Sequence, residues 1–254
     1  VLDSKVTIKS WYSFLLSDLI KPYQRFLQLY FKSDSKDIPL KVPEHVIKSI
    51  AFYEDKDPER VYTKSHYQYY FNNNIDIHKN RVSSLANKCI EDSNSKPIHR
   101  LENIYSHIYF DELQDYAGHD LDVFQQLFKS QIEIHCVGDY KQATFRTNNS
   151  LKYKKYRDNN IVKFFEMLEK KGECKIKYEN STRRFNSEIC AFINLIHDDK
   201  QNFVYPDNTV VKEAENQGVF AIEKKYLSQY CKWYHPTILV YNQKAEIFSH
   251  KAKG

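Results

Sequence analysis

"HIYFDELQD" (107–115) opens as an apolar, aromatic run and closes on three carboxylates and an amide. Its first half has the residue types of a short buried strand. In a parallel α/β sheet, ligands bind beyond the carboxyl ends of the strands, so Asp111 and Glu112 fall where such a sheet does its chemistry. Working outward, "NIYSHIYF" (103–110), "IEIHCV" (132–137) and "CKIKY" (174–178) read as short strands. Between and after them, "HDLDVFQQLFKS" (119–130), "NNIVKFFEMLEKK" (159–171) and "NSEICAFINLIH" (186–197) carry apolar residues at helical spacing. Strands and helices alternating at these lengths predict a parallel sheet covered by helices on both faces.

The flanks are less regular. "TIKSWYSFLLSDLIKPYQRFLQLYF" (7–31) has helical spacing broken at Pro22, which predicts two short helices or one kinked helix. Residues 32–97 shift toward Ser, Asp, Asn and Lys, with an aromatic patch "HYQYYF" (66–71) and a helical "RVSSLANKCIEDS" (81–93); they read as a small, mainly helical insertion. The tail repeats the strand and helix grammar with "VFAI" (219–222), "LSQYCKWY" (227–234) and "TILVY" (237–241). No internal repeat is present.

Composition bounds the function. The 254 residues are 41% hydrophobic, with 20 Tyr and 16 Phe supplying much of the apolar content, enough for packed cores. A net charge of +5 permits a polyanionic partner without demanding one. The five cysteines are scattered and form no C-x-x-C, which argues against a disulfide framework or a zinc site and for a reducing, cytoplasmic compartment. Apolar runs stay far below the roughly 20 residues of a membrane helix, so no membrane association is expected. The ten histidines show no metal-ligand spacing along the chain, and no G-x-S-x-G elbow occurs.

Acids after a strand have two readings: a solvated turn, or an Mg²⁺ ligand next to a base that polarises an attacking water. The second strand weighs on the choice, because "IHCV" runs into "GDYKQ" (138–142), so Asp139 and Gln142 fall at the same sheet edge. The Gln142 amide can donate to a phosphate oxygen while its carbonyl accepts. Further on, "YENSTRRFNSEICAFIN" (178–194) puts Arg183 and Arg184 just before a helix, where guanidinium forks suit phosphate.

Together these pieces resemble the superfamily 1 helicases of the UvrD/Rep type. "DELQD" (111–115) resembles helicase motif II, the D-E-x-Q-D form of Walker B, and "VGDYKQATF" (137–145) resembles motif III. "NSTRRFNSEICAFIN" (180–194) is similar to motif IV, with Arg184 as its arginine and Arg183 as the alternate. "TIKSWYSF" (7–14) resembles the family's T-x-x-S-aromatic motif near the DNA path through Thr7, Ser10 and Trp11, and "HKAKG" (250–254) resembles the start of motif V.

The resemblance implies an incomplete RecA-like P-loop NTPase sheet. Residues 1–31 and 98–173 would form part of domain 1A, 32–97 a 1B-like insertion, and 174–254 the beginning of domain 2A. It also implies ATP-driven 3′-to-5′ movement on single-stranded DNA, or on DNA with a 3′ single-stranded tail, with ATP and Mg²⁺ as cofactors. Asp111 and Glu112 would hold Mg²⁺, Glu112 would be the catalytic base, Gln142 the γ-phosphate sensor and Arg184 an arginine finger. Gln114, Asp115, Asp139 and Arg183 fall in the nucleotide-binding motifs, and Phe145 and Arg146 in the DNA-gripping one, although its usual G-W-R-G continuation is replaced by "FRTNN" (145–149).

One departure is large. A phosphate cradle needs G-x-x-x-x-G-K-[ST], since a Cβ would keep backbone N–H groups off the phosphates; the glycines at 118, 138, 172, 218 and 254 include no such pair. The chain alone is therefore expected to hydrolyse ATP negligibly. It also opens on Val1 rather than Met, and the expectation is a central excerpt, with Walker A upstream and motifs V and VI downstream. Two rivals remain. A metal-dependent nuclease would use Asp111 with Asp139-Tyr140-Lys141, and a helicase-like binding module without a phosphate loop would use the basic run "KYKKYR" (152–157).

Overall fold

The computed structural model describes residues 6–32, 37–41, 50–51, 62–71, 76–200, 202–209 and 218–237. The chain divides into two units, Val1–Lys177 and Tyr178–Gly254.

The first unit opens with a continuous helical segment that changes pitch. Helix α1 (Trp11–Phe14) passes into a π-helical stretch (Leu15–Ile20) and then a 3-10 stretch (Lys21–Phe26) with Pro22 in its first turn. Pro22 falls in the first turn of the 3-10 stretch, where the pitch changes, and the segment continues through it to Phe26. The helix does not reach Phe31 as expected. It stops at Leu27, and strand β1 (Gln28–Lys32) pairs antiparallel with β2 (Asp37–Lys41). The segment expected as mainly helical also holds β3 (Ile50–Ala51) paired parallel with β4 (Ile77–His78), and a single helical turn α2 (Tyr67–Tyr70).

Helix α3 (Val82–Asp92) follows, with Val82, Leu85, Ala86, Cys89 and Ile90 on one buried stripe. It shares one core with Leu15, Leu19 and Ile20 of the π-helical stretch and with Phe124, so this end of the 32–97 segment packs inside the first unit. Asn94 and Ser95, both at positive φ, turn the chain into α4 (Lys96–Glu102), where Pro97 occupies the first turn.

Strand β5 (His107–Phe110) pairs parallel with β6 (Glu133–Cys136), and α5 (Asp120–Phe128) crosses between them. Phe110 is buried on the α5 side, where Ile108, Ile134 and Cys136 also pack. The opposite face, bearing His107, Tyr109 and Glu133, is open, with Tyr109 at 72% exposure. Among the described residues, one face of this pair is thus covered, not both as expected. Helix α6 (Ile161–Lys170) seals the core with Ile161, Phe164, Phe165 and Leu168.

Residues 174–178 do not form the expected strand. Their polar and sulfur groups are turned back on α6: Ile176 N–H donates to Glu169 Oε1 at 2.7 Å, and Cys174 Sγ lies 3.5 Å from the Phe165 carbonyl. In the second unit, β7 (Ser181–Thr182) pairs parallel with β8 (Tyr205–Pro206) across α7 (Ser187–His197), and α8 (Lys224–Tyr234) follows. Residues 219–222 are irregular where a strand was expected, and 238–241 and 250–254 lie outside the described residues.

Asp18 sits buried at the π-helical stretch, against Lys9 Nζ at 2.5 Å, Ser17 Oγ at 2.7 Å and Arg100 at 3.4 Å. Burial pushes its carboxyl up, but the hydrogen bonds from Lys9, Ser17 and Arg100 outweigh it and hold the pKa below the ordinary value. The resulting stability is present above the unfolded carboxylate pKa of about 4 and is lost as pH falls through the lower folded value. Thermal melts across the acid range should show a flatter acid limb for Asp18→Asn than for the wild type; parallel limbs would remove Asp18 as a cause of acid destabilisation.

Candidate nucleotide and DNA site

Both parallel strands end in loops that lean on one another. Val137 N–H donates to the Phe110 carbonyl at 2.9 Å and Leu113 N–H to the Val137 carbonyl at 3.0 Å, so the two strand ends stay paired beyond the ladder. Asp111 and Glu112 then emerge, both exposed. Asp111 Oδ1 accepts the Glu112 N–H at 2.9 Å, and Glu112 adopts φ +53°, ψ +47°. That left-handed conformation costs a non-glycine residue about 1–2 kcal/mol, and strain of this kind concentrates at working sites.

Gln114 joins the two loops. It is buried, its Oε1 accepts the Asp139 N–H at 3.0 Å, and its Nε2 donates to Glu112 Oε2. Asp139 in turn caps a 3-10 turn (Tyr140–Gln142), accepting from Lys141 N–H at 2.9 Å and from Gln142 Nε2 at 2.8 Å. A hydrogen-bonded chain therefore runs Glu112, Gln114, Asp139, Gln142. Its middle link passes through the Asp139 backbone N–H, and its last through the Asp139 side chain. Asp115 lies half-buried beside this chain. Burial, and then the negative charge of Glu112, raise its carboxyl pKa.

Gly138 permits the contact. A Cβ there would lie 2.7 Å from both Gln114 Oε1 and Leu113 N, and 2.8 Å from Leu113 Cβ. Backbone cannot yield as a flexible side chain would, so Gly138→Ala should cost about 1–3 kcal/mol and part the two loops. A melting temperature within a degree of wild type would show that the loops accommodate the methyl and do not depend on this approach.

The residues assigned to DNA divide. Thr7 is exposed ahead of α1, and Ser10 caps α1 by accepting Ser13 N–H at 3.3 Å. Trp11 is not a free stacking platform. Its ring lies on Phe124 at 5.6 Å and 4° and edge-on to Phe110 and Tyr116, and its Nε1 donates to buried Asp120 at 2.8 Å. Arg146 is likewise engaged, in a two-pronged pair with Asp158 at 2.7 and 2.9 Å. Phe145 is half-exposed, with Lys79 Nζ 5.3 Å from its ring and 5.7 Å from that of Tyr12. Lys79 had no sequence signal, since only the fold carries it from the polar segment to motif III.

Within the basic run, Lys152 is bound to Asp122 at 2.7 Å and Arg157 donates to the Asn149 and Ser150 carbonyls, while Lys154 and Lys155 are exposed. Among the described residues, a grouping of three or more metal-ligating side chains is His107, Glu133 and His135, and it includes neither Asp111 nor Asp139. In the second unit, Asn186 caps α7 by accepting Ile189 N–H at 3.0 Å, which places Arg183 and Arg184 at a helix start. Arg183 pairs with Asp207 at 3.3 Å, and Arg184 is exposed, its backbone N–H donating to Thr182 Oγ1.

The acid pair at the end of β5 suits Mg²⁺, a hard cation that takes one or two carboxylates and keeps its waters. A phosphate cradle is not among this chain's residues. No curated protein matches the chain significantly. The UvrD/REP helicase N-terminal domain matches residues 21–159, a span containing both loops and more than half of the sequence, and the chain belongs to that helicase family.

Proposed function

We propose that this chain supplies the carboxylate and γ-phosphate-sensing half of an ATP-hydrolysing site that drives 3′-to-5′ movement along single-stranded DNA. The observation that carries the reading is the hydrogen-bonded chain from Glu112 through Gln114 to Asp139 and Gln142. Asp111 and Glu112 would hold Mg²⁺, which when bound neutralises phosphate charge. Glu112 would accept the proton of the attacking water, held in line by the Gln114 amide. Gln142 would report the γ-phosphate to Glu112 through Asp139 and Gln114, and Arg184, with Arg183 as the alternate, would act from the second RecA-like domain.

The DNA surface would centre on Phe145 with Lys79, an aromatic for a base beside a cation for its phosphate. Residues 1–31 and 98–173 would belong to domain 1A, 32–97 to the insertion and 174–254 to domain 2A. The scattered cysteines suit a reducing cytoplasm, and no helix among the described residues is long and apolar enough to cross a membrane.

Because residues 1–254 hold no G-x-x-x-x-G-K-[ST], the chain alone should turn over no ATP, and the cradle would come from elsewhere in a parent polypeptide. The test is ATP hydrolysis by that parent with and without a single-stranded oligonucleotide, beside unwinding of a 3′-tailed duplex. DNA-stimulated hydrolysis with 3′-tail preference supports the motor. DNA binding without hydrolysis would replace it with a phosphate-loop-free binding module.

A further inference from the structure

On the open face of the parallel pair, the register sets His107 opposite Glu133 and Tyr109 opposite His135. Successive side chains on a strand alternate faces, so His107, Glu133 and His135 share one surface. Glu133 lies between the two imidazoles: Oε2 is 3.1 Å from His107 Nε2 and Oε1 is 3.1 Å from His135 Nε2. One ligand atom from each of the three residues falls within 4.8 Å of the others. We propose that these residues form a binding site for a first-row transition dication, Zn²⁺ being the reference ion, that staples β5 to β6.

The chemistry favours such an ion. Each Nε2 meets the carboxylate acceptably only with a proton or a cation between them, so the two imidazoles offer a metal two positions that protons otherwise fill. Zn²⁺ with ligand bonds of about 2.0–2.2 Å sets tetrahedral donors about 3.4 Å apart; the two carboxylate–imidazole contacts stand at 3.1 Å, and the three ligand atoms, all within 4.8 Å of one another, need only side-chain rotation at the surface to close on the ion. Two imidazoles with one carboxylate select zinc, cobalt, nickel or copper over Mg²⁺ and Ca²⁺.

The rings are also held in place. Ser106 Oγ is 2.9 Å from His107 Nδ1, an outer contact that orients the ring and can accept the Nδ1 proton when Nε2 faces a metal. Tyr109 stacks on His135 at 4.7 Å and 10°. All three ligands are substantially exposed, so an ion reaches them without any opening of the fold.

The role is structural. Four residue pairs make up the β5–β6 ladder, and the loops carrying Glu112 and Gln142 hang from its end. A metal across the first and third rungs would fix the register of those loops. The ligands reach the ion only when the strands are paired, so binding raises the stability of the folded chain.

The test is titration of the 254-residue chain with Zn²⁺ by calorimetry and with Co²⁺ by visible absorption, in excess Mg²⁺. The expected result is one equivalent bound, with a cobalt spectrum lacking thiolate charge transfer, and a higher melting temperature. His107→Ala and His135→Ala should each weaken binding roughly tenfold or more, and the double variant should abolish it. Because these side chains are exposed, the variants should melt like the metal-free wild type. Undiminished binding in the double variant, displacement by Mg²⁺, or no stoichiometric binding would each overturn the site.

Discussion

Asp120→Ala should lower the melting temperature by about 10 °C and shift the Trp11 contribution to the fluorescence to the red. Asp120 is wholly buried, and its two oxygens collect Trp11 Nε1, Ser83 Oγ, Ala117 N–H, Thr147 Oγ1 and Asn148 Nδ2. Those groups come from α1, α3, the loop before α5 and the segment after motif III, so one carboxylate ties together elements far apart in sequence. Truncation leaves buried donors without an acceptor, at a cost of about 3–5 kcal/mol, and a domain of this size loses about 2–4 °C per kcal/mol. Gly118 belongs to the same arrangement. At φ +57° it lets Asn148 approach, and a Cβ there would lie 2.4 Å from Asn148 Oδ1. Asp120→Asn, which keeps one acceptor oxygen, should fall between. An alanine variant melting within 2 °C of wild type would sink the network as a source of stability.

Asp120 also marks what the sequence conceals. Its place in "HDLDVF" reads as an acid in the first turn of a helix, a common surface residue, and nothing local shows that donors from four segments converge on it. The same blindness hid the packing of Trp11. The T-x-x-S-aromatic pattern at 7–14 carries only a resemblance, and that the ring packs on Phe124 is decided by tertiary contacts. By contrast, α5, α6, α7 and α8 were legible, because their apolar residues recur at helical spacing over about two and a half to three turns. The β5–β6 pair was legible because both strands end in acidic loops.

Strands 174–178 and 219–222 were misread for a physical reason. A strand is made by a partner, and a short apolar run specifies none; at 174–178 a Glu169 carboxylate takes a backbone donor instead. The candidate site was legible as residue types but not as a mechanism. Asp111, Glu112, Asp139 and Gln142 could be named from motifs II and III, yet the joint at Gln114, and the clearance that Gly138 gives it, appear only in three dimensions. The histidines were missed because ligand spacing was sought along the chain. "HIY" and "EIH" each put alternate residues on one face, and parallel register brings His107, Glu133 and His135 together.

Glu112→Gln should cut DNA-stimulated ATP hydrolysis by the parent polypeptide about a hundred- to ten-thousandfold, the range supplied by a general base, without lowering its melting temperature. The carboxylate is exposed and its one side-chain partner in the site is the Gln114 amide, so a neutral isostere removes proton acceptance without emptying a core position. Glu112→Gly separates chemistry from conformation. Glycine takes φ +53° without the Cβ penalty, which offsets the loss of the carboxylate that the Gln114 amide donates to, so this variant should melt close to wild type while being as inactive as the glutamine. If Glu112→Gln retained more than a tenth of the activity, the proton acceptor would lie elsewhere, and half-buried Asp115, whose carboxyl pKa is raised by burial and by the charge of Glu112 itself, would be the next group to replace. Loss of activity accompanied by a fall in melting temperature would instead assign Glu112 to holding the β5 loop, and the strained backbone would then be a structural feature of the turn with no part in catalysis.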